Sequence, residues 1–163
     1  MKNICLFILL AVFVSNCKDE TVNPLAETKI YFKGIAETDV KGWQITLDNT
    51  DWKTNDTWVK QEFDLFKASY QSGCVQSFKN EIAAYPNPGT GFFSLQLSKL
   101  ASTRVEFRLV DENFQTLISS DTLTNSSIHF DIRDFGIKDT LRLYYRFIEN
   151  NCEFRGHGDI LIH

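Results

Sequence analysis

The chain has 163 residues, a length sufficient for one domain and a short export segment, and its formal net charge is −4. No cluster of basic residues is present, so a nucleic-acid partner is not expected. Hydrophobic residues make up 43% of the sequence and aromatic residues 13%, a composition that can bury a core and argues against a disordered chain.

The first sixteen residues have the pattern of a secretory signal peptide. Lys2 gives a positive start, and residues 4–14 are an unbroken run of eleven apolar residues. A membrane-spanning helix needs about 20 apolar residues, whereas the core of a signal peptide needs fewer. Charged residues from Lys18 onward end the apolar run, which disfavours a retained membrane helix. We therefore predict a cleaved signal peptide over residues 1–16.

The end of this segment carries a possible modification site. Val14, Ser15, Asn16 and Cys17 form a run that resembles the bacterial lipobox, with Asn16 where that family usually has Gly or Ala. The resemblance implies that the Cys17 thiol receives a diacylglyceryl group, that the signal is cut before it, and that the new amine is acylated, typically with palmitate. The alternative is an ordinary secretory signal followed by an unrelated cysteine.

Three charged residues directly follow the lipobox cysteine. Lys18, Asp19 and Glu20 resemble the export signal of Bacteroidota lipoproteins, which implies display on the outer face of the outer membrane. The alternative is a solvated tether, which leaves a periplasmic location open. Residues 21–27 have neither a strand period nor a helix period, so we predict that residues 17–27 form a lipidated tether to the membrane.

Residues 28–84 are predicted to form a small αβ segment that begins with two short strands. Residues 29–33 are one candidate strand. Residues 42–48 are the other, because apolar side chains alternate there and would share one buried face, at Trp43, Ile45 and Leu47.

A helix is predicted over residues 57–69, with Asn55 or Asp56 as its N-cap. Its apolar residues recur at the i, i+4, i+7 spacing of one helix face, at Val59, Phe63 and Phe66.

Two tryptophans, Trp52 and Trp58, flank the start of this helix. We expect both in the hydrophobic core. The alternative is a carbohydrate-stacking platform, which keeps a glycan, beside a protein, among the conceivable partners.

Residues 85–163 show the pattern of an antiparallel β-sandwich. Residues 85–91 contain two prolines and two glycines, which forbid a helix or a central strand. Residues 149–151 fit a hairpin turn. Six or so strands alternate apolar with polar residues, which predicts an Ig-like sandwich whose strands each have one dry and one wet face. The alternating sets are Phe93/Leu95/Leu97, Val105/Phe107/Leu109, Ile128/Phe130/Ile132, Leu141/Leu143/Tyr145/Phe147 and Ile160/Ile162, with a further short strand at 115–119.

The same half of the chain resembles a known family. Residues 85–88 (Tyr-Pro-Asn-Pro) and the Thr-Gly-x-Phe-x-Leu-x-Leu run at 90–97 resemble the opening of the type IX secretion system C-terminal sorting domain. Residues 105–111, 130–132 and 136–145 follow that family in order. The resemblance implies an Ig-like β-sandwich.

The C-terminal end departs from that family. Its sorting domains usually end with lysines, and residues 156–163 contain none. Residues 156–160 (Gly-His-Gly-Asp-Ile), together with Asp51 and Trp52, also resemble small Bacteroidota lipoproteins. We therefore expect the fold of the sorting domain without its sorting role. The alternative is a secreted type IX cargo whose residues 85–163 are the sorting signal.

Few residues suggest chemistry. His157 and Asp159 lie two apart on one strand face, but a metal site needs three or four ligands, so we predict no metal. Gly156 and Gly158 instead predict a bulge or a close backbone approach. No nucleophile elbow, zinc helix or phosphate loop is present. We therefore predict a protein without catalytic residues or cofactors, with a structural or binding role.

Two cysteines remain once Cys5 leaves with the signal and Cys17 is lipidated. These are Cys74 and Cys152, an even pair in an exported protein, which favours a disulfide between them. Two free buried thiols are the alternative.

Overall fold

A computed structural model describes residues 29–54 and 56–163. The chain is mainly β and forms a sandwich of two antiparallel sheets, as the alternation predicted. The seven strands are β1 (Glu81–Tyr85), β2 (Phe92–Ser98), β3 (Arg104–Val110), β4 (Thr116–Leu123), β5 (Ser127–Asp131), β6 (Thr140–Glu149) and β7 (Cys152–Leu161). The helices are α1 (Lys60–Phe63) and a 3₁₀ turn at Arg133–Phe135.

One sheet has the order β1-β2-β5 and the other the order β4-β3-β6-β7. The longest pairing is the β6–β7 hairpin, whose register runs from Thr140↔Leu161 to Glu149↔Cys152. Its turn residues Asn150 and Asn151 have φ values of 48° and 68°, the left-handed pair that a two-residue hairpin turn requires. The predicted hairpin turn is therefore confirmed.

The core lies between the two sheets. The alternating apolar residues of the sequence meet there, and most are inaccessible to solvent, including Phe93, Leu95, Phe107, Leu143 and Ile160. Phe107 and Phe130 pack edge to face across the sheets, with ring centroids 5.6 Å apart.

The prediction of one wet face per strand is wrong for the four-stranded sheet. Tyr144 is completely buried and Arg146 is 2% exposed, although both point away from the core between the sheets. A second apolar cluster covers them, formed mainly by the chain before β1 and including Ile30, Trp58 and Phe66. Aromatic rings can cover guanidinium groups because the planar cation is weakly hydrated and stacks on them.

The two predicted N-terminal strands do not form. Residues 29–33 belong to no strand, and in residues 42–48 only Gln44 makes an isolated bridge, to Thr38. An extended segment becomes a strand only where a neighbouring strand pairs with its backbone groups, and neither segment has a continuous ladder of such pairs.

The predicted helix is reduced to the single turn α1. Its N-cap is Val59, not Asn55 or Asp56; Asn55 lies outside the described residues. Glu62 accepts a hydrogen bond from the Val59 N–H at 2.7 Å. The chain leaves the helix after Phe63 because Phe66 turns down onto the four-stranded sheet, where it is 7% exposed.

The segment before β1 also seals the edge of the sandwich along β7. The N–H of Trp52 bonds the carbonyl of His157 at 2.8 Å, and that of Asp56 bonds Arg155 at 3.0 Å. Gln71 exchanges backbone hydrogen bonds with Asn151 and Glu153. These contacts satisfy backbone N–H and C=O groups that an uncovered edge strand would leave free to pair with another chain. The first strand begins at Glu81, so a boundary at residue 85 would cut through β1.

No helix within residues 29–54 and 56–163 is long and apolar enough to cross a membrane. The predicted signal peptide, Cys17 and the charged residues Lys18, Asp19 and Glu20 lie outside the described residues.

Candidate functional site

A cleft of about 990 Å³ opens between β1 and the loops that precede it. One wall is the outer side of the three-stranded sheet, and the other is the loop of residues 36–54 together with residues 76–80. We call it the β1 cleft. Its main side chains are Gln44, Leu47, Asp48, Trp52, Lys53, Lys79, Glu81, Tyr85 and Gln96.

Asn87 fixes the loop wall of the cleft to the sandwich. Its side chain is inaccessible to solvent, and its amide nitrogen donates to the carbonyls of Ala36 at 2.9 Å and Asp159 at 2.8 Å. Its amide oxygen accepts from the N–H of Leu161 at 2.9 Å. The backbone of Asn87 also exchanges hydrogen bonds with Thr38. The Tyr-Pro-Asn-Pro run, in which both prolines follow cis peptide bonds, thus positions one amide as a clamp between three chain segments.

Asp51 ties the same loop to β7 by a buried carboxyl group. It is 6% exposed and accepts hydrogen bonds from the N–H of Ala36 at 3.0 Å and of Asp159 at 2.8 Å. Burial raises the pKa of Asp51 to about 7, and the nearby Asp159 charge adds to the rise. The two backbone donors oppose the rise, because they stabilise the ionised form.

The predicted close backbone approach at the two glycines of β7 is confirmed. A Cβ atom on Gly158 would lie 2.3 Å from the Trp52 ring, and one on Gly156 would lie 1.5 Å from the carbonyl oxygen of Lys53. The strand keeps a continuous register with β6, so no bulge forms. The glycines make room for the loop wall to lie flat against β7.

The two tryptophans lie apart and form no joint platform, with Trp58 buried and Trp52 half-buried against the core. Trp52 stacks on Tyr145 with ring centroids 6.1 Å apart and packs against the core between the sheets. Trp58 is 5% exposed and lies in the cluster on the opposite side of the four-stranded sheet. A sugar-stacking surface made of both is therefore wrong, although Trp52 still contributes to the lining of the β1 cleft.

His157 and Asp159 each have another partner. His157 Nδ1 pairs with the carboxylate of Asp56. The Asp159 carboxylate accepts hydrogen bonds from both Nε and Nη2 of Arg142, at 2.6 and 2.7 Å. Within the described ranges, no group of three or more His, Cys, Asp or Glu is placed to hold a metal ion.

The walls of the β1 cleft carry charges of both signs. Lys41, Lys53 and Lys79 lie among Asp48 and Glu81, and Lys79 pairs with Glu81 at 2.5 Å. A hydrogen bond from the Thr50 hydroxyl lowers the pKa of Asp48. The lining offers hydrogen-bond donors and acceptors together with aromatic surface, and the buried carboxyl group of Asp51 belongs to it. Such a cleft is suited to binding.

Cys74 and Cys152 form a disulfide with their Cα atoms 6.2 Å apart, as the cysteine count predicted. It joins the chain before β1 to the last hairpin. Asp51 and Asn87 appeared in the sequence only as parts of the two resemblances, and their buried hydrogen-bonding roles were not predicted.

Comparison of the chain with family models, with curated proteins and with solved structures finds no match. The fold and the β1 cleft are therefore assigned from this structure alone.

Proposed function

We propose that this chain is a non-enzymatic lipoprotein, anchored to the outer membrane through Cys17 and displayed on the cell surface, where it binds a protein or glycan partner in the β1 cleft. The observation that supports export most directly is the Cys74–Cys152 disulfide, since such bonds persist in oxidising compartments outside the cytoplasm. The lipobox-like run at residues 14–17 supplies the anchor.

The anchor holds through its acyl chains. Each buried methylene contributes about 0.8 kcal/mol, and two or more chains give stable attachment where one gives only marginal binding. A triacylated Cys17 therefore keeps the protein on its membrane without a transmembrane helix.

A secreted type IX cargo is the second candidate, favoured by the Tyr-Pro-Asn-Pro opening of the sandwich. Removal of residues 85–163 as a sorting domain would cut β1 and leave residues 29–84 without the sheet that they cover. This arrangement favours the lipoprotein over the cargo.

The deciding experiment is mass spectrometry of the mature protein from its native membrane. An acylated Cys17 with residues 85–163 intact supports the lipoprotein. A free N-terminus with loss of residues 85–163 supports the cargo. Cys17→Ala should release the protein from membranes, whereas the matched variant Cys5→Ala, in the same N-terminal segment, should leave retention unchanged.

Surface display is tested separately. We expect Lys18→Ala, Asp19→Ala and Glu20→Ala together to protect the protein from protease added to intact cells. Equal digestion of the native chain and of this triple variant would show that the three residues are only part of the tether and do not direct surface display.

A further inference from the structure

One loop exposes large apolar side chains. Residues 38–47, which we call the apolar loop, include four such residues in the space of eight: Val40 is 75% exposed, Trp43 72%, Ile45 62% and Leu47 70%. These include the alternating residues that the sequence placed in a buried strand face. The structure leaves them facing solvent.

The apolar loop is held by its own hydrogen bonds. Asp39 Oδ1 accepts from the N–H groups of Lys41 and Trp43, both at 2.8 Å. The N–H of Asp39 bonds the carbonyl of Trp43 at 2.9 Å, and that of Ile45 bonds Glu37 at 2.8 Å. Backbone groups at the tip are thus largely satisfied within the loop, which lowers the cost of moving it into a less polar medium.

The chain enters the structure at the same end of the sandwich as the apolar loop. The N–H of Ile30 bonds the carbonyl of Glu112, just after β3 ends. The end of β3 pairs with the start of β6 at Arg142, which pairs with Asp159 of β7. Asn87 bonds the carbonyl of Asp159 through its side chain and Thr38, where the apolar loop begins, through its backbone. The start of the apolar loop and the contact of Ile30 therefore lie at the same end of the sandwich.

The length of chain before Lys29 limits the distance to the anchor. Eleven residues, 18–28, separate Cys17 from Lys29. Even fully extended, they reach about 40 Å. A surface tethered this closely is present at an effective concentration of the order of millimolar, so a weak apolar contact is sufficient for docking.

We propose that the apolar loop docks into the interfacial region of the lipid leaflet that holds Cys17, a proposal that rests on the lipid anchor proposed above. Trp at a membrane interface with aliphatic neighbours is the composition that this region favours. The apolar loop, residues 38–47, carries one acidic residue and one Lys, a net charge of zero. Docking is therefore apolar, and anionic lipid does not strengthen it.

The test uses the fluorescence of Trp43 in the acylated chain, reconstituted into phosphatidylcholine vesicles that contain brominated lipid. Trp58 is buried, whereas Trp52 is half-buried in the β1 cleft, so the contribution of Trp43 is the difference between the native chain and Trp43→Phe. Quenching is expected to be stronger in the native chain than in Trp43→Phe, and no stronger in vesicles containing anionic lipid. Val40→Ser with Leu47→Ser should lower the docking equilibrium constant by about a hundredfold and weaken quenching accordingly. The control Val75→Ser, at a residue 95% exposed on another loop, should not.

Several outcomes overturn the proposal. Acylated chain quenched no more than Trp43→Phe leaves the lipoprotein standing and refutes docking. A Trp43 blue shift that grows with protein concentration, without vesicles, assigns the loop to a second copy of the chain. Lack of acylation refutes the anchor instead. In a chain carrying Cys5→Ala, the Cys17 thiol can then be coupled to a maleimide lipid, because Cys74 and Cys152 are bonded to each other, and the same measurement still decides the docking.

Discussion

The carboxyl group of Asp51 accepts the backbone N–H of Asp159 at 2.8 Å, across a sequence separation of 108 residues. The bond joins the loop wall of the β1 cleft to the last strand. Because the carboxyl group is buried, its charge couples this junction to pH.

The first prediction concerns the pH dependence of stability. The folded protein holds the Asp51 proton with a pKa of about 7, against an ordinary value of 3.8. The contribution of Asp51 to the unfolding free energy is therefore fully present below pH 3.8. It is lost as the pH rises to about 7, and the loss amounts to roughly 4 kcal/mol. Asp51→Asn does not titrate, so the difference in unfolding free energy between native chain and variant should change over this window in urea denaturation.

Two features make that test specific. Hydrogen bonds lower the pKa values of Asp48, Asp121 and Asp131, so their contributions change below 3.8 rather than above it. The control Asp64→Asn removes an exposed carboxylate, paired with Lys60, and should leave the slope unchanged. Parallel pH curves for the native chain and Asp51→Asn would contradict the prediction.

The second prediction concerns the close approach at Gly156. Gly156→Ala places a Cβ against the backbone carbonyl of Lys53, which cannot swing away. We expect a loss of about 1–3 kcal/mol, typical of overpacking, and faster amide exchange at Trp52 and Asp56. Gly34→Ala is the comparison, because its Cβ meets the Asp48 side chain rather than a backbone carbonyl, and it should leave the amides of Trp52 and Asp56 protected. Unchanged protection of both amides in Gly156→Ala would be evidence against this packing.

The third prediction concerns the buried charge pair beneath the N-terminal aromatics. Arg146 donates to Glu106 through Nε at 2.8 Å and Nη2 at 2.6 Å, and to Glu153 at 3.1 Å. Arg146→Met removes the arginine that the two carboxylates share, while each keeps one further arginine, so the unfolding free energy should fall by about 3 kcal/mol, the lower end for a broken buried ion pair. Lys60→Met, in an exposed pair, should cost less than about 1 kcal/mol. Similar losses in the two variants would show that the pair is not shielded from solvent.

The fourth prediction concerns the disulfide. The bond closes a loop with a sequence separation of 78 residues, and in the chain-entropy model its removal costs about 4 kcal/mol. Cys74→Ala together with Cys152→Ala should lower the melting temperature, and reduction of the native protein should lower it similarly. Free alkylation of both thiols in the unfolded, unreduced protein would disprove the bond.

The sequence by itself determined the sandwich core. Strand alternation at Phe93 or Leu143 identifies the inward face, because side chains of a strand alternate strictly between its two sides. The asparagine pair at 150–151 predicted the hairpin turn, and cysteine parity favoured the disulfide over two free thiols. These are local or countable properties, so they need no knowledge of which distant segments meet.

Tertiary structure alone decided what covers each face and what remains exposed. Arg142, Tyr144 and Arg146 read as a wet face, yet segments about 80 residues earlier bury much of it. Trp43, Ile45 and Leu47 read as a buried face and are exposed. Alternation shows that a strand has two unlike faces. Whether another segment covers either face depends on the packing free energy of the assembled chain, and that includes ion pairs and ring stacking between residues far apart in sequence.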